Sequence, residues 1–336
     1  MRPGSCGAFI AGCSGLTLTD DERAFFTDSR PFGFILFARN IDTADQIRAL
    51  CADLRAALGY DAPIFIDQEG GRVQRLRPPL AQEWRAPLDE VAHAGPLAAQ
   101  IMRLRYRLIA AELRALGIDG NCAPCVDIAR PHTHEILHNR CYGTDADTVA
   151  RLGRAVAEGL ITGGVVPVLK HIPGHGAADL DSHLELPHVA LPLDQLTEQD
   201  FAPFRALAEL PFAMTAHIVY DAIDADAPAT TSPAMIELIR DQIGFKGVLM
   251  SDDISMQALA GGIGQRSAAA MAAGCDLVLH CNGDMPEMIE VAKAAGTISE
   301  KAARAAAAGL ALRANPAEDT AMLSDEWATM MAALDR

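Results

Sequence analysis

The sequence predicts an α/β protein folded as a (β/α)8 TIM-type barrel of one domain. Three observations carry this reading: eight short apolar runs, amphipathic helical patterns between them, and polar residues gathered where the runs end. The runs fall at 7–12, 33–37, 63–67, 119–125, 165–171, 212–217, 247–252 and 276–280. They are rich in Val, Ile, Leu and Phe at consecutive positions, as strands buried on both faces should be. Alternation of such strands with helices along one chain is the pattern of a parallel barrel.

The elements follow in order. The first run ends in Gly12-Cys13-Ser14-Gly15. A doubly wound open sheet, the competing architecture, would want a third glycine there and a helix opening at once, and both are missing. Between the third and fourth runs, Leu97, Ile101, Leu104 and Leu108 share one helical face, and Gly117 is placed to end that helix. Val149, Leu152, Val156 and Leu160 repeat the spacing after a polar Thr144-Asp145 start. Two further helices, around 299–314 and 324–334, close the chain and are expected to pack on the barrel. With no Pro/Gly/Ser-rich linker and no internal repeat, residues 1–336 read as one domain.

Composition narrows the function classes. A net charge of −16 repels phosphate backbones and anionic lipid, so neither nucleic acid nor a membrane surface is an expected partner. Eight cysteines in a chain of this length are no disulfide framework, and Cys13, Cys51, Cys275 and Cys281 sit among apolar residues, as buried free thiols do, which favours a reducing compartment. Cys122 and Cys125 form a C-x-x-C that invites a redox or zinc reading, but no second pair follows and Ala123-Pro124 reads as a strand end. Ile10-Ala11-Gly12-Cys13 imitates a lipoprotein cleavage box, yet the apolar stretch ahead of it is too short for a secretory signal. No segment reaches the roughly 18 apolar residues of a membrane span. A cytoplasmic location is expected.

Asp67, His171, His217 and Asp252 each stand at the C-terminal end of a predicted strand, the face where barrel enzymes collect their catalytic groups. The densest cluster is Lys170-His171-Ile172-Pro173-Gly174-His175-Gly176, followed by Asp181-Ser182-His183. Its proline and glycines predict an irregular, movable loop. His171, His175 and His183 are candidate zinc ligands, although zinc motifs usually space their ligands more tightly. The other reading is a dyad. Residues i and i+2 of an extended stretch point the same way, so Asp181 can accept the His183 N–H, fix its tautomer and leave the other nitrogen to move a proton near neutrality.

Lys246–Met256 runs an apolar strand into Asp252 and Asp253. Adjacent strand residues face opposite ways, so Asp252 is expected to point inward and Asp253 to cap the next segment. Asp67-Gln68-Glu69-Gly70-Gly71-Arg72-Val73-Gln74-Arg75 joins an acidic strand end to two glycines and two arginines. That composition suits recognition of a polar, hydroxyl-rich ligand, or simply a well-bonded turn.

At these clusters the sequence closely resembles the bacterial β-N-acetylglucosaminidases of glycoside hydrolase family 3, in their short single-barrel form. The resemblance rests on DQEGGRVQR at 67–75, NRCYG at 139–143, KHIPGHG at 170–176, DSH at 181–183 and SDDISM at 251–256. It implies a retaining exo-glycosidase that removes terminal β-linked N-acetylglucosamine, with Asp252 as nucleophile. His183 would be the acid/base, with Asp181 its partner, in place of the usual second carboxylic acid. Asp67, Arg75, Arg140, Lys170 and His171 match sugar-binding positions. Neither a metal nor another cofactor is implied, and no obligate protein partner. The expected substrate is a small carbohydrate, a muropeptide of peptidoglycan recycling, with chitin-type oligosaccharides as the other possibility. The family more often has Phe where Ile172 stands, and 177–180 also departs from it, which bears on loop motion rather than chemistry.

Alternatives stay open at this point. A neutral imidazole base does not repel an anion, so a phosphorylase that transfers the sugar to phosphate is one. A metal-dependent hydrolase built on the loop histidines is another. A catalytically inactive sugar-binding barrel is disfavoured by the presence of Asp181, His183 and Asp252.

Overall fold

The computed structural model describes residues 6–178, 180 and 185–334. Eight parallel strands close into a barrel: β1 (Gly7–Ala11), β2 (Pro31–Leu36), β3 (Ile64–Ile66), β4 (Gly120–Asn121), β5 (Val166–Ile172), β6 (Phe212–Thr215), β7 (Val248–Asp253) and β8 (Leu277–His280). Each strand pairs with the next in sequence, and β8 returns to β1 through Phe9↔Val278 and Ile10↔Leu279. The expected fold class is the observed one, and all eight strands lie inside or beside the runs that predict them.

The strands hold because both faces are covered. Every residue of β1 to β6 and of β8 is buried, and burial of such side chains contributes roughly 1.5–3 kcal/mol each. The barrel interior is filled by Phe32, Phe65 and Phe212, whose rings meet across it at 5.9–6.1 Å between centroids. Gly120 makes room for this layer, since a Cβ there would sit 2.3 Å from the Phe65 ring.

Strand β4 is far shorter than the run 119–125 predicts. Pro124 has no N–H to give a ladder; backbone bonds to β5 continue through the Ala123 and Pro124 carbonyls, while on the β3 side Gln68 is held by the side chain of Asn121. Its Oδ1 accepts from the Gln68 backbone N–H at 3.0 Å, and its Nδ2 donates to the Gln68 carbonyl at 3.1 Å.

The outer helices are α1 (Asp20–Ser29), α2 (Ala44–Leu58), α3 (Ala98–Ala115), α4 (Ala146–Thr162), α5 (Pro233–Leu238), α6 (Ile263–Ala273), α7 (Met285–Ala295), α8 (Glu300–Leu310) and α9 (Thr320–Leu334). Local chemistry sets their starts. Thr19 and Glu22 form a reciprocal capping box on α1, and Asp145 accepts from Thr148 N at 2.9 Å to begin α4. On α3 the buried stripe is Ile101, Leu104 and Leu108; Leu97 precedes the helix and is exposed, contrary to the predicted stripe. The last helix begins four residues earlier than expected, at Thr320 rather than 324, and docks by an edge-to-face contact of Trp327 on Trp84 at 5.0 Å. Both tryptophans are consumed by this packing and neither is available to stack on a sugar. Among the described residues no helix is long and apolar enough to cross a membrane.

Candidate active site

At the C-terminal mouth of the barrel a cavity of about 340 Å³ is walled by Asp67, Arg75, Arg140, Lys170, His171 and Asp252, with Phe37, Met214 and Leu279 among its apolar lining. A larger, mostly apolar cleft of about 480 Å³ lies on the outer wall between α4, the turn before β6 and α8. Its charged groups are solvent-facing, such as the Arg154–Glu209 pair, so the chemistry is at the mouth.

The wall is built from the loops after β3 and β4 and from the end of β5. Asp67 follows β3 directly, and a small hairpin of Gln68–Gly70 against Val73–Gln74 folds back over it. Its turn uses Gly70 and Gly71 at φ 106° and 59°, a region where side chains strain the backbone. The hairpin returns Arg75 onto Asp67, with Nη2 donating to Oδ2 at 3.0 Å. Lys170 Nζ lies 2.9 Å from Asp67 Oδ1 and 2.6 Å from Glu69 Oε1. Arg140 in turn grips Glu69 with both arms of its guanidinium, at 2.8 and 2.9 Å.

Three cations thus face two carboxylates, and the Asp252 side chain lines the cavity beside them. Burial alone would raise both acids of the wall. The neighbouring cations win: Lys170 and Arg75 hold Asp67 well below the usual carboxylate range, and Arg140 with Lys170 holds Glu69 at about 2. Both stay ionised as hydrogen-bond acceptors.

Lys170 and His171 are sequence neighbours, yet both line the cavity. Strand alternation would send them to opposite faces; the pairing of β5 with β6 breaks register between Leu169 and Ile172, which frees the second side chain to turn inward. His171 is held from behind by Asp127, with Nδ1 2.7 Å from Oδ2. Its Nε2 faces the Arg140 guanidinium at 3.5 Å. Arginine only donates, so the ring proton belongs on Nδ1. Burial, offset by the adjacent His171 and the His175 backbone N–H, leaves Asp127 far below its ordinary value.

Asp127 and Glu69 were not among the predicted site residues. Asp127 had a signal: it is a lone carboxylate in an otherwise apolar stretch from Ala123 to Ala129, and a buried charge demands a partner.

Asp252 and Asp253 also both line the cavity, against the expectation that only one would, because β7 too breaks register between Met250 and Asp253. Their roles still separate. Asp253 is spent on structure, accepting from Ser255 N, Ser255 Oγ and Cys281 N at 3.1, 2.7 and 3.2 Å. It caps a turn rather than a helix, since α6 starts only at Ile263. Asp252 Oδ1 takes the Asp253 N–H at 2.8 Å.

His217 is buried beneath this corner. Nε2 lies 3.0 Å from the Asp253 carbonyl and Nδ1 2.7 Å from Thr230 Oγ1, so it braces the backbone that carries Asp252.

Asp181 and His183 lie outside the described residues. The stretch leading to them is buried and hydrogen-bonded at its start. Ile172 to Gly176 is buried, Gly176 accepts from Thr133 Oγ1 at 2.6 Å, and the His175 backbone N–H donates to Asp127 Oδ1 at 2.6 Å. Of the three loop histidines, His175 sits behind the site rather than in it. Among the described residues, the grouping with metal-ligand spacing is instead Cys125, Asp127 and His171. The C-x-x-C is no pair: Cys122 belongs to the main core, Cys125 to a small separate cluster with Cys141.

Comparison with known proteins decides the family. The profile described as "Glycosyl hydrolase family 3 N terminal domain" matches residues 14–311. The chain belongs to glycosyl hydrolase family 3. Like the rest of that family it is a glycoside hydrolase. It is 38% identical to a β-hexosaminidase of Bordetella avium over 82% of this chain and 81% of the relative. A β-hexosaminidase of Neisseria gonorrhoeae is 36% identical, over 88% and 82%. Among solved structures of the family, native NagZ from Neisseria gonorrhoeae superposes with a TM-score of 0.85 at 30% identity, covering 99% of this chain and 97% of that one. A family 3 β-N-acetylglucosaminidase from Paenibacillus gives a TM-score of 0.87 at 30% identity, over 99% and 68%.

Proposed function

We propose that this glycoside hydrolase is a retaining exo-β-N-acetylglucosaminidase acting on small peptidoglycan fragments, with Asp252 as nucleophile and His183, partnered by Asp181, as acid/base. The observation that carries the reading is Asp252 sharing one small cavity with the Asp67–Lys170–Arg140–His171 wall. At about 340 Å³ the cavity is at the low end of ligand pockets (roughly 300–1,000 Å³), which suits one terminal sugar rather than a long glycan. The names of the β-hexosaminidase and β-N-acetylglucosaminidase relatives point to the same sugar.

The ionised wall offers an acceptor on Asp67 and donors on Lys170, Arg75 and Arg140 to the sugar hydroxyls, with Glu69 buried behind it as their counter-charge. A bound ring then sits with its anomeric carbon toward Asp252. The Asp252 carboxylate attacks that carbon as protonated His183 gives its proton to the departing oxygen, leaving a glycosyl ester on Asp252. Neutral His183 next removes a proton from water, whose oxygen takes the anomeric carbon and frees Asp252. Eight buried free thiols fit work in a reducing compartment such as the cytoplasm.

The test is a cleavage screen of N-acetylglucosaminyl-anhydromuramyl fragments, chitobiose and a simple β-glucoside, with and without phosphate. The first is expected to be cut best, with no sugar 1-phosphate formed. Asp252→Ala should lose roughly 10³-fold or more in kcat; a variant as fast as the parent would remove Asp252 from the mechanism.

A further inference from the structure

The stretch of chain that holds Asp181 and His183 leaves from β5 and ends in a short strand pairing, and both of its feet meet one residue. Tyr220 lies in the loop after β6, only 1% exposed, and its hydroxyl donates to the Gly174 carbonyl of the outgoing foot. Its backbone pairs with Val189 of the returning foot, in a parallel ladder of Val219–Tyr220 with His188–Val189. Val219 N donates to the Pro187 carbonyl at 3.0 Å and Asp221 N to the Val189 carbonyl at 3.1 Å. We propose that Tyr220 is a positioning residue for the acid/base, tying the two feet of this loop together so that His183 is delivered to the glycosidic oxygen. The inference rests on the reading of His183 given above.

Both ends of the tie are firm. A Cβ on Gly174 would sit 3.0 Å from the Asp200 carbonyl oxygen, and one on Gly176 only 2.0 Å from that of Ile128, so the outgoing foot lies flush against its neighbours. Thr133 Oγ1 holds the Gly176 carbonyl at 2.6 Å, and Asp127 Oδ1 takes the His175 N–H at 2.6 Å. Tyr220 joins this fixed foot to the returning one. Its ring is itself held edge-on by Phe201, with centroids 6.1 Å apart. Burial pushes the phenol well above its ordinary value, so the hydroxyl remains a donor.

Proton transfer is where a loosened foot would show. The donor must come within hydrogen-bond reach of the departing oxygen, and a displacement on the order of 1 Å set far from the chemistry can cost about 10²-fold. The sugar wall and Asp252 stand on other elements, so binding and nucleophilic attack keep their geometry.

Leaving groups separate these effects. Dinitrophenolate departs without a proton, whereas phenol or a sugar needs one. Tyr220→Phe should lower kcat/KM for a phenyl β-N-acetylglucosaminide by about 10–10²-fold, while kcat/KM for the dinitrophenyl substrate stays near the parent's. The dinitrophenyl kcat should fall, because water still needs the base, and azide should restore it. Azide nitrogen bonds to the anomeric carbon as the ester bond to Asp252 breaks, so a glycosyl azide leaves and the carboxylate returns with no proton removed. Phe201→Leu, which keeps the hydroxyl but loosens the ring, should show a smaller split of the same kind. Circular dichroism confirms that each variant is folded.

His183→Ala distinguishes the two layers of the argument, since it should give the same split more strongly. If it falls equally on both substrates, the acid/base reading fails and the inference with it. If it splits while folded Tyr220→Phe matches the parent, or falls equally on both substrates, the role of Tyr220 alone is overturned.

Discussion

His171 Nδ1 and Asp127 Oδ2 face each other at 2.7 Å on the closed side of the sugar cavity, so an imidazole that meets solvent at one nitrogen is fixed by a buried carboxylate at the other. The carboxylate decides which nitrogen carries the proton and where the ring points. Asp127→Asn can present an amide N–H to Nδ1 and so favour the opposite tautomer, with Nε2–H against Arg140. Loss of such an orienting partner typically costs about 10–100-fold. The variant is expected to fall by that amount in kcat/KM while remaining folded. A downfield Nδ1–H proton resonance, present in the parent and lost in the variant, distinguishes this from general loosening; an unchanged resonance and rate would remove Asp127 from that role.

This pair also marks where reading the sequence stops. Asp67, Lys170, His171 and Asp252 were legible because a strand's end is a local property of its apolar run. Asp127 meets His171 from 44 residues away, and Glu69 meets Arg140 from 71, distances that only barrel closure brings to contact. The inward turn of both Lys170 and His171, and of both Asp252 and Asp253, comes from breaks in strand register, which depend on the neighbouring strand rather than on the residues themselves. The helical start at Thr320 was missed for a related reason: α9 is fixed by Trp327 meeting Trp84.

Glu69 joins Lys170 and Arg140, and its removal leaves two buried cations with one acid fewer. Breaking a buried pair by deleting one partner costs roughly 3–5 kcal/mol. Glu69→Ala should therefore lose stability on that scale in urea denaturation, and Glu69→Gln somewhat less because the amide oxygen still accepts. A midpoint within error of the parent would show that the wall is not held by charge.

His217 offers a separable test of how Asp252 is supported. His217→Leu leaves the Asp253 carbonyl short of a partner, at roughly 1–3 kcal/mol for a buried group, while the Thr230 hydroxyl keeps Thr215 and the Ala216 carbonyl. The wall proposed to bind the sugar is untouched, so kcat is expected to fall while KM stays near the parent's. His217→Gln, which keeps one hydrogen bond, should recover part of the rate. If KM rises and kcat holds, His217 supports binding instead.

Burial and the adjacent His171 push His175 down to about 4, from an ordinary 6.5. The fold keeps the ring neutral while the unfolded chain binds a proton below 6.5. The stabilisation is present above that pH and is lost as pH falls toward 4, by roughly 3 kcal/mol. Thermal melts at pH 7 and pH 4.5 should show a steep drop for the parent and a shallower one for His175→Gln. Parallel pH profiles would contradict this.

Glu112 predicts the opposite slope. It sits on α3 with Oε1 accepting from Gln82 N at 2.7 Å, and burial raises its carboxyl to about 7 against the pull of that N–H and of Trp84. Here the folded state holds the proton more tightly than the unfolded chain does. The contribution is complete below the ordinary value of 4.5 and disappears as pH rises through 7. Gln keeps the accepting carbonyl and carries no charge at any pH. Glu112→Gln is thus expected to match the parent at pH 5 and to exceed it at pH 8 by up to roughly 3 kcal/mol. Because Gln82 and Trp84 lead directly to Trp327, the gain should also slow proteolytic release of α9 at pH 8. A stability difference that is the same at both pH values would mean that Glu112 is not the proton-binding group assigned here.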